Sequence, residues 1–353
     1  DRVWHAGLLK KSKAYGITGP IFDIISSFLS NCKIKVVLDG HSSDSFSINA
    51  GVPQGSILGP TLFLIFINDL PDHILCQLAI YADDSTLYSC SNGKSEVFGK
   101  IEMAADLEFD LRSVVEWGDS WLVTFNSSKT KLLSINKYHE PFLPSICMNG
   151  VELPECNDFR LLGLTFSKDF SWRSYTESIA KSASMKVGSL LRARNYLTRE
   201  SILYLYKSTI RPCMEYCSHV WAGAPADILS LLDRIQRRVC NNIGEYLSSK
   251  LDSLSHRRKV ASLSLFYKYF HGRCSDELSS LVPPVRQFQR VTRLSSNSHP
   301  FTVCVPVCKS FYNNSFFPRT SVLWNSLPPT CFPSGYNLQA LKTNVHCHFL
   351  TFT

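Results

Sequence analysis

Apolar residues recur along the chain with two periods, and the period changes the element expected. Residues 20–30 (PIFDIISSFLS) read as a short helix, with Thr18 as a cap and Pro20 near its start. Lys33 to Leu38 alternates toward a turn at Asp39–Gly40, and Phe46 and Ile48 alternate beyond it, which predicts a β-hairpin. Gly51 to Gly55 reads as a loop opening a very apolar helix over 58–70. Leu78 to Tyr88 is apolar on both sides of Asp83–Asp84 and predicts strand, turn, strand. Ile101, Ala104, Leu107, Leu111, Val114 and Val115 fall at helical spacing with acids between them. A strand is expected over 131–135 and a strand or turn over 161–166, and Asn149–Gly150 between short apolar runs signals another hairpin.

After about residue 172 the pattern becomes helical. Ile179, Ala183, Val187, Leu190 and Leu191 form one stripe. Residues 202–210 form a second helix that Pro212 is expected to stop, and Ile228, Leu232, Ile235 and Val239 mark a third. A fourth runs over 257–271, with Gly272 as its terminator. From about 282 the chain is rich in Pro, Ser and Asn and has little periodicity.

Length and composition narrow the classes. The sequence has 353 residues, 44% hydrophobic and 19% charged, enough to fill a core. No apolar run reaches the roughly 18 residues of a membrane span. The thirteen cysteines are scattered and odd in number, so they are expected to be reduced core thiols. Cys213 with Cys217, and Cys304 with Cys308, are closely spaced. With His219, His346 or His348 they would have to make a zinc site, but the finger or knuckle spacing is missing. Charge is uneven: residues 1–172 hold 14 Lys and Arg against 20 Asp and Glu, and residues 173–353 hold 23 against 9. An acidic first part suits divalent metal, and a basic second part suits a polyanion.

The candidate chemistry centres on Tyr81-Ala82-Asp83-Asp84. Adjacent carboxylates repel each other and lose solvation if buried, and a divalent cation relieves both problems. Oxygen ligands of this kind suit Mg²⁺, and two such ions can clamp the attacking and leaving oxygens of a phosphoryl transfer. An ordinary solvated turn is the plainer alternative, against which the apolar flanks argue.

AIYADDSTLYS resembles motif C of reverse transcriptases. AGVPQGSILGPTLFLIFINDL (50–70) is similar to their motif B, TFNSSKTKLLSI (124–135) to motif D, and FRLLGLTF (159–166) to motif E. The order and spacing fit, and the nearest resemblance is to non-LTR (LINE-type, jockey-like) retrotransposons. FFPRTSVLWNSLP (316–328) resembles the carboxy-terminal region of those polyproteins. A viral RNA-dependent RNA polymerase fits less well, because such enzymes usually have Gly where Ala82 stands.

The resemblance implies an α+β fold: a palm of antiparallel strands with packed helices over 1–172, a helical thumb over 173–281, and a carboxy-terminal segment over 282–353. It implies RNA-directed DNA polymerase activity by two-metal nucleotidyl transfer, with Asp83 the principal Mg²⁺ ligand and Asp84 an auxiliary one. Lys129 would serve the triphosphate and protonate the leaving pyrophosphate. Pro53, Gln54 and Gly55, with Tyr81 and Ala82, would meet template, nucleotide and primer terminus, and Leu162 and Gly163 would grip the primer. The implied partners are template RNA, a DNA primer and deoxynucleoside triphosphates, in a cytoplasmic ribonucleoprotein and in the nucleus.

Asp1-Arg2-Val3-Trp4-His5 resembles the tail of motif A. The first motif A Asp and the fingers would then lie upstream, and Asp1 itself has a structural role in the family. This segment alone is therefore expected to be inactive. The alternative is a non-catalytic nucleic-acid-binding remnant of a decayed element, using the basic helices.

Overall fold

The computed structural model describes residues 2–90, 96–135, 145–286, 299–307 and 310–350. The chain divides into two compact units, Asp1–Asn157 and Asp158–Thr353. That division falls ahead of the composition change near 172 but keeps the charge split: 12 Lys and Arg against 18 Asp and Glu before it, 25 against 11 after it.

In the first unit, α1 (His5–Ala14), α2 (Pro20–Leu29) and α3 (Leu58–Ile67) pack around Leu8, Ile25, Leu29, Leu62 and Phe66. The apolar run of residues 58–70 is one helix only to Ile67, and a separate 3₁₀ turn follows over Leu70–His73 with Pro71 in its first turn. The long α4 (Glu96–Trp121) serves two cores: Val114, Trp117 and Trp121 face the first, while Ala104 and Leu111 pack with Ile146, Met148 and Leu153.

The strands form only two-stranded antiparallel ladders among the described residues. β1 (Lys33–Ile34) pairs with β4 (Phe46–Ser47), and inside them β2 (Val37–Leu38) pairs with β3 (His41–Ser42). Asp39 and Gly40 both have positive φ (48° and 83°), as a two-residue hairpin turn with this twist demands. Asn149 and Gly150 repeat the device (54° and 72°) between β7 (Cys147–Met148) and β8 (Val151–Glu152). The strand expected over 131–135 is not one: Leu132 makes a single bridge to Glu155. The Asn126 carbonyl accepts from the Lys129 and Thr130 amides and holds the preceding segment as a turn.

The second unit opens with β9 (Asp158–Leu161) and β10 (Leu164–Ser167), then becomes helical. α5 (Arg173–Arg192) buries Ala183, Val187 and Leu190 with Leu232, Ile235 and Val239 of helix Ala226–Ile243. Pro212 does not end the chain's helical course, contrary to the sequence expectation. The helix Arg199–Leu205 loosens into a π turn over Tyr206–Ile210, and a new helix starts at Arg211 with Pro212 in its first turn, where no amide hydrogen is needed. The segment after 282 builds a further core. Helices Phe316–Asn325 and Leu338–Leu350 pack Trp324, Leu341 and Val345 against Leu263, Phe266 and Tyr267 of helix Leu254–Phe270.

The cysteines are all free among the described residues, but only Cys331 is buried. Cys90, Cys147, Cys304 and Cys347 are exposed, so the expectation of core thiols holds for one of them and for the half-buried ones in part. Cys308 lies outside the described residues.

Candidate active site of the first unit

β5 (Gln77–Tyr81) and β6 (Asp84–Tyr88) make the hairpin expected around the acid pair, with Tyr81 opposite Asp84 and Leu78 opposite Leu87. Alternation sends Leu78, Ile80 and Leu87 toward the first core and leaves Tyr81 67% exposed. The turn residues are Ala82 and Asp83, and Ala82 takes φ 52°, a left-handed conformation that costs a non-glycine residue about 1 kcal/mol. Asp83 and Asp84 are both exposed, so the apolar flanks do not bury the pair as the sequence suggested. The apolar side chains point to the other face, and the tip stands clear of them.

The base of this hairpin is fixed by a carboxylate that sequence reading did not single out. Asp110 of α4 is fully buried, and its two oxygens accept from the amides of Leu75 and Cys76, each at 2.8 Å. Burial, with the charges of Asp110 and Asp106 behind it, pushes the Cys76 thiol up to about 12.

The Pro53-Gln54-Gly55 loop is exposed and leads into α3. Ser56 closes it: its hydroxyl donates to the Pro53 carbonyl at 2.7 Å and accepts from the Gly59 amide at 2.9 Å. A Cβ on Gly59 would lie 2.9 Å from the Pro53 oxygen, so the close approach of loop and helix requires glycine there. Gly55 answers a different need: its φ is 83° and the space around it is open. Backward from this loop, Gly51 donates to the Val3 carbonyl at 2.8 Å, and the His5 ring meets the Gly51 carbonyl at 2.7 Å. The segment Arg2–His5 is thereby docked beside the loop. Asp1 lies outside the described residues.

Lys129 is exposed on the turn after Asn126; its amide donates to the Asn126 carbonyl, and its ammonium makes no hydrogen bond or ion pair among the described residues. Val52, the hairpin residues Leu78, Ile80 and Leu87, and Phe125 all pack against one core. That shared core brings the 50–55 loop, the acid hairpin and the 124–130 turn into one body.

A buried lock sits behind them. Lys11 is 3% exposed, donates to the Phe66 carbonyl at 2.7 Å, and pairs with Asp69. Its ammonium lies over the rings of Trp121, Trp117 and Phe66 at 3.9, 4.5 and 5.0 Å. Trp117 donates its indole hydrogen to the same Asp69 oxygen at 3.0 Å. Burial lowers the Lys11 pKa, and the Asp69 partner pulls against that shift without cancelling it.

Leu162 and Gly163 fall in the second unit, at the turn of β9 and β10, with φ 47° and 82°. Tyr216 caps this turn, donating its hydroxyl to the Leu162 carbonyl at 2.8 Å. A Cβ on Gly163 would lie 3.3 Å from the Tyr216 ring. Further along the unit, Lys181, Gly188 and Arg192 of α5 line one shallow groove, and Arg234, Arg237 and Arg238 are exposed on helix Ala226–Ile243.

As ligands for Mg²⁺, Asp83 and Asp84 fit in kind. Their oxygens are hard donors, exposed, and free of hydrogen-bond or ion-pair partners among the described residues. No third acidic or histidine group of the described residues joins them. Among the described residues, the one set that does gather is Asp252, His256 and His346, with ligand atoms within 4.8 Å of one another. There the His256 Nε2 and His346 Nδ1 atoms are 2.8 Å apart, so the two rings already satisfy each other by a hydrogen bond. Cys213, Cys217 and Cys304 do not join that set, and Cys308 lies outside the described residues.

Comparison with known proteins accounts for these motifs together. Residues 1–166 match the family model for "Reverse transcriptase (RNA-dependent DNA polymerase)". The chain is 30% identical over 254 residues to the "RNA-directed DNA polymerase from mobile element jockey" of Drosophila funebris, an alignment covering 69% of this chain and 27% of that protein. It is 28% identical over 252 residues to the "Probable RNA-directed DNA polymerase from transposon X-element" of Drosophila melanogaster, again 69% of this chain and 27% of the relative. A "Retrovirus-related Pol polyprotein from type-1 retrotransposable element R2" of Popillia japonica is 24% identical over 265 residues, 69% of this chain and 40% of that protein. The chain thus spans about a quarter of the length of its jockey and X-element relatives. Residues 1–166 match the reverse transcriptase family, and the chain is similar to the RNA-directed DNA polymerases of jockey-like, non-LTR retrotransposons.

Proposed function

We propose that the chain supplies the palm and thumb of an RNA-directed DNA polymerase, with residues 1–172 as palm, 173–281 as thumb and 282–353 as a carboxy-terminal segment. The observation that carries this reading is the exposed Asp83–Asp84 pair at the tip of a hairpin whose base Asp110 holds. Asp83 is the principal ligand for Mg²⁺ and Asp84 the auxiliary one. The bound ions supply an activated primer 3′-hydroxyl and charge neutralisation at the triphosphate.

The chain's own residues do the rest. Tyr81, on the outward face opposite Asp84, offers its ring to the primer terminus. Pro53, Gln54 and Gly55 line the template and nucleotide side from a loop that Ser56 and Gly59 hold in place. Lys129, whose ammonium has no partner among the described residues, holds the triphosphate and gives a proton to the leaving pyrophosphate. The turn Leu162–Gly163, fixed by Tyr216, grips the primer. The arginines of helix Ala226–Ile243 and the basic face of α5 track the duplex backbone. A template RNA, a DNA primer and deoxynucleoside triphosphates are the partners this chemistry needs. Among the described residues no helix is long and apolar enough to cross a membrane.

Primer extension on an RNA template with Mg²⁺ tests the reading, using the chain extended upstream toward the length of its relatives. Extension that Asp83→Ala abolishes supports it. Salt-sensitive RNA binding with no extension in either protein supports the second reading, a nucleic-acid-binding remnant, which the net basic charge of the second unit favours.

A further inference from the structure

Two arginines of the second unit lack the anion their burial calls for. Arg258, on helix Leu254–Phe270, is 5% exposed, and its Nη1 is buried without a hydrogen-bond partner. Arg319, on helix Phe316–Asn325, donates one Nη2 hydrogen to the His219 carbonyl at 2.9 Å, and its Nε is buried without a partner. Neither makes an ion pair with a carboxylate among the described residues. Asp233 and then Glu215 act on Arg258 only through space, forming no ion pair with it; the Arg257 fork already occupies both Glu215 oxygens and Arg211 stands 3.8 Å away. The two guanidiniums also repel each other: burial first, and then the charge of Arg258, bring the Arg319 pKa down to about 10.

An unpaired buried charge costs several kcal/mol, and arginine does not escape by losing its proton near neutral pH. Two such charges facing one space call for an anion between them. The space exists: a cavity of about 420 Å³ is lined by Ser255, Arg258, Lys259 and Arg319, with Leu229 and Val322 as apolar wall. Guanidinium forks match the tetrahedral oxygens of a phosphate better than they match a point charge. Lys259 and Ser255 are exposed, which puts a further cation and a hydroxyl at the mouth.

We propose that this cavity is a phosphate-group site, with Arg258 and Arg319 as its inner cations and Lys259 at its opening. Arg319 belongs to the 316–328 stretch, which the polymerase chemistry does not use. The phosphate comes from a nucleic-acid strand or from solution. The strand source rests on the nucleic-acid reading above; the site itself does not.

Thermal unfolding of the full chain in inorganic phosphate, against chloride at matched ionic strength, tests the site. The expected result is a saturable rise in melting temperature with phosphate. In Arg319→Gln the midpoint of that response moves to about tenfold higher phosphate or beyond, while the variant melts no lower than the parent in chloride. Lys259→Gln, at an exposed position, weakens the response less and guards against a variant that fails to fold. A response shared equally by parent and both variants, or no response, overturns the proposal.

Binding of single-stranded RNA as a function of salt then names the source. A salt slope reduced by about one in Arg319→Gln assigns a strand phosphate, and an unchanged slope with a lost phosphate response assigns free phosphate. Asp83→Ala, which removes extension under the polymerase reading, leaves the phosphate response intact, so the two readings fail separately.

Discussion

Removing the Asp69 carboxylate from its lock with Lys11 tests how the first unit holds its motifs. Lys11 is 3% exposed, whereas the Asp69 side chain keeps 24% of its surface in solvent. Asp69→Asn keeps an acceptor for the Trp117 indole but strands the Lys11 ammonium among three aromatic rings. Breaking a buried pair from one side costs about 3–5 kcal/mol, and the ring contacts recover about 1–2 kcal/mol of it. A net loss of about 1–4 kcal/mol is expected. Lys11→Met should cost less, because the remaining carboxylate still reaches water and Trp117. The pair replaced together by Met and Leu should come back toward the parent. Native-state hydrogen exchange of α1 and α3 amides reads these values locally. An Asp69→Asn cost below 1 kcal/mol, or a larger loss in Lys11→Met, refutes the reasoning. The pH dependence follows in sign. The folded Lys11 pKa lies below its ordinary 10.5, so between the two values the unfolded state holds more protons. This group's stabilising contribution is therefore present above 10.5 and is lost as pH falls through the folded value. Alkaline titration of Lys11→Met should lack that rise.

Asp110→Ala removes two charge-assisted bonds at the base of the acid hairpin and should cost about 2–4 kcal/mol, seen as faster exchange of the Leu75 and Cys76 amides. Gly59→Ala pushes a methyl against the Pro53 carbonyl and should cost about 1–3 kcal/mol, with a raised KM for nucleotide if the loop contacts it. Tyr216→Phe should cost about 0.5–1.5 kcal/mol, with proteolysis or exchange at 158–167 reporting the loosened turn. Cys76, its pKa raised to about 12, should resist iodoacetamide at pH 8 in the folded chain while Cys90 and Cys147 react.

Elements whose signal is local were legible. The turns Asp39–Gly40 and Asn149–Gly150 need two positive φ values, and their residue types announce it. The helical stripes of 179–191 and 228–239 do face each other in one core, as their period required. The acid hairpin was legible as a hairpin, but not as an exposed one. Flanking hydrophobicity was read as burial of the tip, whereas alternation gives each strand a wet face, and Tyr81 and Asp84 lie on it. The helix stop expected at Pro212 failed because a π turn absorbs the missing amide just before it. Residues 282–353 lacked periodicity because their core is aromatic and assembled from distant pieces, with Trp324 meeting Phe266, Phe270 and Phe332.

The acids of the first unit show what spacing alone leaves out. Asp69, Asp83, Asp84 and Asp110 look alike in sequence, and two of them stand next to each other while the others stand apart. The fold sorts them by what surrounds each oxygen. Asp110 is buried with a backbone amide on each oxygen, and Asp69 gives one oxygen to both an ammonium and an indole, so both already have fixed partners inside the fold. Asp83 and Asp84 have no such partners among the described residues, because the turn that Ala82 makes lifts them beyond the reach of the core's donors. A carboxylate left unfilled by its own protein, on a hairpin whose base is clamped by another, is available to a ligand from outside. Its adjacent like charge makes a divalent cation the fitting one. Asp110 holds still the hairpin that carries Asp83 and Asp84; under the proposed polymerase reading, losing it should lower extension through misplacement of the pair, with Mg²⁺ demand rising before the rate is abolished.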